Sequence, residues 1–178
     1  KVNVLYIAAG LTQDMKSINN YLNLVKKHFE TISNKKVIFK IILDNINSKI
    51  FAGNLKNSDI IYLAGGDTQK LINFFKKNKL APELKKTWQK GKLIVGNSAG
   101  ALALAKTGIS LYREPKKYLG IDVIKKFIPV VHYDSTKNSA LENILDKKSS
   151  TKSLRISENE AYVLWGKQVI KINNLFSF

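Results

Sequence analysis

Apolar positions recur along this chain with two different spacings, and the change from one to the other marks its elements. Val2-Asn-Val-Leu-Tyr-Ile-Ala8 is apolar with one interruption and predicts a buried strand. From Asp14 to about Ile32 the apolar residues Met15, Ile18, Tyr21, Leu22, Val25 and Phe29 fall at three- and four-residue steps among Lys and Asn, which predicts an amphipathic helix. Gly10 and Thr12 supply the turn between them. Lys36 to Leu43 is rich in β-branched residues and reads as a second strand, and Ile60 to Ala64 as a third. The polar segment Asp44–Ser58 between them is a loop or short helix. A helical pattern carrying Leu71, Ile72, Phe74 and Phe75 follows Gly65-Gly66-Asp67-Thr68. Pro82 opens another helix, with Leu84 and Trp88, that ends at Gly91. Leu93-Ile-Val95 is the next strand, and Ala99 to Ala105 the next helix.

Strands thus alternate with helices through the first hundred residues, which predicts parallel βαβ units. The fold class expected is α/β, an open, mostly parallel sheet with helices on both faces. After Ala105 the alternation loosens. Ser110 to Tyr118 is polar, and Leu119 to Ile124 is a short apolar piece. Phe127 to Tyr133 reads as a strand with His132 at its end. Asn138 to Leu145 is a helix candidate, followed by a charged loop to Lys152. Ser153–Ser157, Ala161–Trp165 and Gln168–Ile172 read as short strands, the last two as a hairpin about Gly166-Lys167. No repeat, Pro-rich linker or domain boundary interrupts residues 1–178, so one domain is expected.

Composition narrows the chemistry. With no cysteine there is no disulfide, thiolate metal site or Cys nucleophile, and two histidines do not make a multi-histidine metal site. No 18-residue apolar run or signal-peptide pattern is present, so a cytoplasmic protein without a membrane partner is expected. The net charge of +17 comes almost wholly from Lys, with Arg113 and Arg155 the only arginines. Phosphate and base recognition lean on the bidentate fork of Arg, so nucleic acid is not an expected partner.

The candidate chemistry centres on Gly96-Asn-Ser-Ala-Gly100, a Gly-x-Ser-x-Gly between a strand and a helix. That arrangement predicts a nucleophile elbow, with Ser98 lifted out of the sheet and the Ala99 N–H at a helix start. A serine hydroxyl needs a base beside it. His132, at a strand end, is the candidate, because His28 lies on the polar flank of a helix. The imidazole needs a carboxylate behind it. Glu114, Asp122, Asp134, Glu158 and Glu160 compete for that role, with Asp134 nearest in sequence. A second oxyanion donor would come from Gly65 or Gly66, and Asp67 or Thr68 could cap the helix that follows.

Leu63-Ala-Gly-Gly-Asp-Thr-Gln-Lys-Leu71, Val95-Gly-Asn-Ser-Ala-Gly-Ala101 and a strand ending in His132 together resemble the serine peptidases that include aspartyl dipeptidase (peptidase E) and cyanophycinase. Ile7-Ala-Ala-Gly-Leu-Thr12 resembles their first loop, and the likeness runs from about Val2 to Leu164. The resemblance implies a class I glutamine amidotransferase-like (flavodoxin-like) three-layer sandwich with Ser in place of the usual Cys. It implies Ser98 as nucleophile, His132 as base and Glu114 as acid. It also implies Gly66 and Ala99 as oxyanion donors, with Gly65, Asp67 and Thr68 near the substrate. In that family the sheet usually has a strand ahead of the segment matching Val2–Ala8, and Asn is common where this chain has Asp67. The expected activity is hydrolysis of a small peptide, after an amino-terminal aspartate in the dipeptidase members. No cofactor or metal is implied, and a homodimer is allowed for. Two other readings stand beside it. An α/β-hydrolase esterase is disfavoured by the roughly 80 residues after Ser98 and the lack of His-Gly-Gly-Gly. A non-catalytic binding domain would retain the fold without an activated serine.

Overall fold

The computed structural model describes residues 1–11, 15–32, 34–136, 138, 152–165 and 168–173. Thr12 and Asp14, most of the helix candidate Asn138–Leu145 with the loop after it, and the Gly166-Lys167 turn lie outside them.

β1 (Val2–Ile7), β2 (Val37–Ile42), β3 (Ile60–Leu63) and β4 (Leu93–Gly96) form a wholly parallel sheet in the order β2-β1-β3-β4. Its central strand shows why the apolar run at Val2–Ala8 hardly alternates: both of its faces are covered. Leu5 and Ile7 point into a core shared with Phe51, Leu55, Leu71, Phe75 and Leu84. Those residues belong to α2 (Ser48–Lys56), α3 (Thr68–Lys77) and α4 (Ala81–Gln89). Tyr6 and Ala8 point the other way, to Leu22 and Val25 of α1 (Met15–Ile32). Ile18, Leu22 and Val25 are the buried stripe of α1, whereas Met15 at its first turn is half exposed. The polar segment at 44–58 resolves into α2, whose first turn is capped by the Asn47 side chain accepting the Ile50 N–H at 2.9 Å.

All four strands run the same way, so their carboxyl ends share one edge. Gly10, Gly65-Gly66 and the Asn97-Ser98 turn meet there. α5 (Ala99–Leu104) leaves that edge and buries Ala103 and Leu104 in the larger core.

The second half builds another four-stranded sheet, order β6-β5-β7-β8, from β5 (Thr107–Ser110), β6 (Lys116–Leu119), β7 (Phe127–Val131) and β8 (Lys152–Ile156). β5, β7 and β8 are mutually parallel, and β6 returns antiparallel to β5. A parallel bridge joins Ala105, just before β5, to Ile124, just before β7. The pattern of residues 107–119 does not announce β5 and β6, because both are only four residues long and β6 keeps Lys116, Lys117 and Leu119 exposed at a sheet edge. β9 (Ala161–Trp165) and β10 (Gln168–Ile172) pair antiparallel, as the alternation there predicts. The architecture is mixed α/β with mostly parallel sheets flanked by helices.

Candidate active site

β4 ends at Gly96, α5 begins at Ala99, and the two residues between them make the turn. Ser98 takes φ 48° and ψ −107°, a conformation that a residue with a Cβ adopts only when its surroundings impose it. The Asn97 N–H donates to the Leu63 carbonyl at 3.0 Å, fixing the turn to the end of β3. Gly100 lets α5 descend onto that strand, since a Cβ there would overlap the Leu63 carbonyl. The serine therefore stands at the apex of an elbow whose sides are locked to one neighbouring strand.

His132 follows β7 and also has a positive φ, 59°. That bend turns its imidazole towards the elbow, and the Ser98 Oγ lies 2.9 Å from His132 Nε2. On its other side His132 Nδ1 lies 2.6 Å from Glu158 Oε1. A carboxylate only accepts, so Nδ1 carries the ring proton and Nε2 is left to accept from the Ser98 O–H. This is the order of contacts that activates a weak nucleophile: hydroxyl, base, orienting acid.

The acid in contact is Glu158, where Glu114 was expected. Both lie on loops that leave strands flanking β7. β7 lies between β5 and β8, so the loops leaving both neighbours flank its end. On the β5 side the Leu111 N–H donates to the Val131 carbonyl at 3.0 Å, but the chain then tightens. Arg113 takes φ 63° and the Glu114 N–H donates to the Tyr112 carbonyl at 2.9 Å. This turn lays the Tyr112 ring against His132, centroids 5.4 Å apart, and leaves Glu114 exposed. On the β8 side Val131 pairs with Ile156, and the Tyr133 N–H donates to the Ile156 carbonyl at 3.1 Å. Glu158, two residues on, thereby comes level with the imidazole.

The other acids have other partners. Asp134 Oδ1 accepts from the Thr136 N–H at 2.9 Å and hydroxyl at 2.6 Å. Asp122 pairs with Lys125 at 3.2 Å, and Glu160 with Lys171 at 2.6 Å. A sequence signal for Glu158 did exist. It is an acid just past a strand that follows the histidine-bearing strand, but only the parallel pairing of β7 and β8 gives it meaning.

Gly66 stands exposed at the end of β3 with φ 107°, a left-handed conformation that favours glycine. A Cβ at Gly66 would also overlap the Gly10 carbonyl, so the loop after β1 and the loop after β3 touch. The Asp67 N–H donates to that same carbonyl at 2.8 Å. The Asp67 side chain caps α3 by accepting the Lys70 N–H at 2.9 Å, and Thr68 is buried. Gly65 is buried. No group of three or more His, Asp or Glu side chains that could hold a metal occurs among the described residues. No described helix is long and apolar enough to cross a membrane.

A strained serine at the carboxyl edge of one parallel sheet, met by a histidine and a carboxylate that follow parallel strands of a second, has the make-up of a serine hydrolase. The model of peptidase family S51 matches residues 2–172, and the chain belongs to this family. It is therefore a serine-type peptidase. Among solved structures, a putative peptidase E protein from Listeria monocytogenes EGD-e aligns at 21% identity and a TM-score of 0.70, covering 97% of this chain and 86% of that one. A peptidase from an acI-B1 Actinobacterium aligns at 21% identity and a TM-score of 0.73, covering 96% and 74%. These likenesses establish the fold. No curated protein matches the sequence.

Proposed function

We propose that this peptidase cleaves small peptides through a Ser98–His132–Glu158 triad. The observation that carries the reading is the continuous contact from Ser98 Oγ to His132 Nε2 at 2.9 Å and from His132 Nδ1 to Glu158 Oε1 at 2.6 Å. Ser98 Oγ attacks the scissile carbonyl carbon as its proton passes to His132 Nε2. Glu158 holds the Nδ1 proton and stabilises the imidazolium that forms. The carbonyl oxygen, now negative, is received by the N–H groups of Gly66 and Ala99 on the facing turns. His132 then gives its proton to the leaving amine, and the C–N bond breaks to leave an acyl ester on Ser98. Water, deprotonated by the same imidazole, releases the carboxylate and restores the serine.

The substrate class follows the family resemblance: a dipeptide with an amino-terminal aspartate is the first candidate, with an enlarged panel of short peptides beside it. Two measurements test this. Labelling of Ser98 by a fluorophosphonate probe asks whether the serine is activated, and Ser98→Ala should abolish both labelling and peptide hydrolysis while the thermal transition stays in place. A wild-type protein that neither labels nor cleaves any short peptide would favour the non-catalytic reading.

A further inference from the structure

Beneath the elbow lies a polar junction that no step of the mechanism uses. The Tyr21 hydroxyl, carried by α1, donates to Asn97 Oδ1 at 2.6 Å. Its oxygen also lies against Gly65, 3.6 Å from where a Cβ on that glycine would sit. Tyr62 belongs to β3 and stacks on Tyr6 of β1, ring centroids 5.4 Å apart. One phenol oxygen therefore bonds helix α1 to the residue immediately before Ser98, with the Gly65-Gly66 turn at the end of β3 packed beside it. Gly65 is packed tightly into this junction, since a Cβ there would come within 3.0 Å of Asn97 Oδ1. Burial pushes the Tyr21 hydroxyl above the ordinary phenol value, so this donor keeps its proton through the neutral range.

Resting on the triad reading above, we propose that Tyr21 is a positioning residue that sets the separation of the two oxyanion-bearing turns through Asn97 and Gly65. The turn at Gly66 is attached to β3 and the turn at Ala99 to β4 and α5. The Asn97 N–H bond to Leu63 fixes the backbone of the second turn, and the Tyr21 hydroxyl holds the Asn97 side chain, whose Oδ1 packs against Gly65. Donors aimed at an oxyanion act only within a few tenths of an ångström of their target. Loss of the junction therefore weakens transition-state stabilisation and leaves ground-state binding and the basicity of His132 alone.

The test compares wild type, Tyr21→Phe, Asn97→Ala and the double variant by fluorophosphonate labelling, because the phosphonyl oxygen of the adduct occupies the oxyanion position. Tyr21→Phe keeps the ring and removes only the hydroxyl. The expected result is a maximal labelling rate lowered about tenfold in each single variant, with the half-saturating probe concentration unchanged. The pH profile of labelling keeps its midpoint, and the double variant is no slower than the worse single one. A Tyr21→Phe rate equal to wild type, an effect confined to half-saturation, a shifted pH midpoint or multiplicative single effects would each overturn the assignment. Thermal unfolding of each variant separates these results from a general loss of fold. If wild type itself fails to label, the serine-peptidase mechanism falls first, and this proposal with it.

Discussion

Glu158 reaches His132 Nδ1 at 2.6 Å from a loop 26 residues further along the chain, while Glu114, in the loop after β5, stays in solvent. The His132 ring is thus held between a carboxylate on its β8 side and the Tyr112 ring on its β5 side. The Glu158 side chain is itself 77% exposed, against 26% for His132. Its charge is largely screened by water, so its contribution is chiefly to orient the ring and fix the tautomer.

The two glutamates can be separated by experiment. Glu158→Gln should lower kcat on the order of 10²-fold, less than a fully buried acid would cost, because solvent already shares the charge. Glu114→Gln should leave kcat within about twofold. Steady-state kinetics on the best peptide substrate checks both. A large loss in Glu114→Gln with none in Glu158→Gln would return the acid to the loop after β5.

The elbow depends on the close approach of α5 to β3. A Cβ at Gly100 would overlap the Leu63 carbonyl, which is backbone and cannot rotate away. Gly100→Ala should therefore destabilise the fold by about 2 kcal/mol, a fall of about 5 °C in Tm. Gly53→Ala is the control, since nothing lies within 4 Å of a Cβ there and Gly53 is in the interior of α2. It should be neutral or stabilising by up to about 1 kcal/mol. Differential scanning calorimetry of the two variants reads the contrast directly.

The hairpin β9–β10 is fastened to the turn after β8 by the Glu160–Lys171 pair at 2.6 Å. Burial acts most strongly on Glu160 and raises it, but hydrogen bonds from Lys171 and Ser157 together hold its carboxyl below the ordinary value. The hydrogen bond to Glu160 raises Lys171. A carboxyl depressed in the folded state adds stability that is present above its unfolded value and lost as pH falls through the folded one. The lysine's share is present below its ordinary value and lost only in strong alkali. Glu160→Gln should therefore cost about 0.5 kcal/mol at neutral pH, and the gap to wild type should close in acid below the ordinary carboxylate range. Urea titrations across that range measure it. A gap that persists unchanged at low pH would mean the pair contributes through packing alone.

Much of this protein was written into local pattern. The apolar runs of Val2–Ala8, broken only at Asn3, and of Ile60–Ala64 required strands buried on both faces, and the three- and four-residue steps of Ile18, Leu22 and Val25 required a helix against them. The Gly-x-Ser-x-Gly between a strand and a helix located the elbow, because Ser98 and its glycines act over five adjacent residues. Those features depend on neighbours in sequence. The partners of His132 do not. Which acid lies against the His132 ring follows from the register Val131↔Ile156 and from the tight turn at Arg113 that gives the β5 side to Tyr112. The Tyr21–Asn97 contact spans 76 residues and joins a position that reads as one more apolar step of α1 to the residue beside Ser98. A hydroxyl on a helical stripe carries no sign of its destination. Only the packing of α1 across β1 and β3 brings it beneath the elbow.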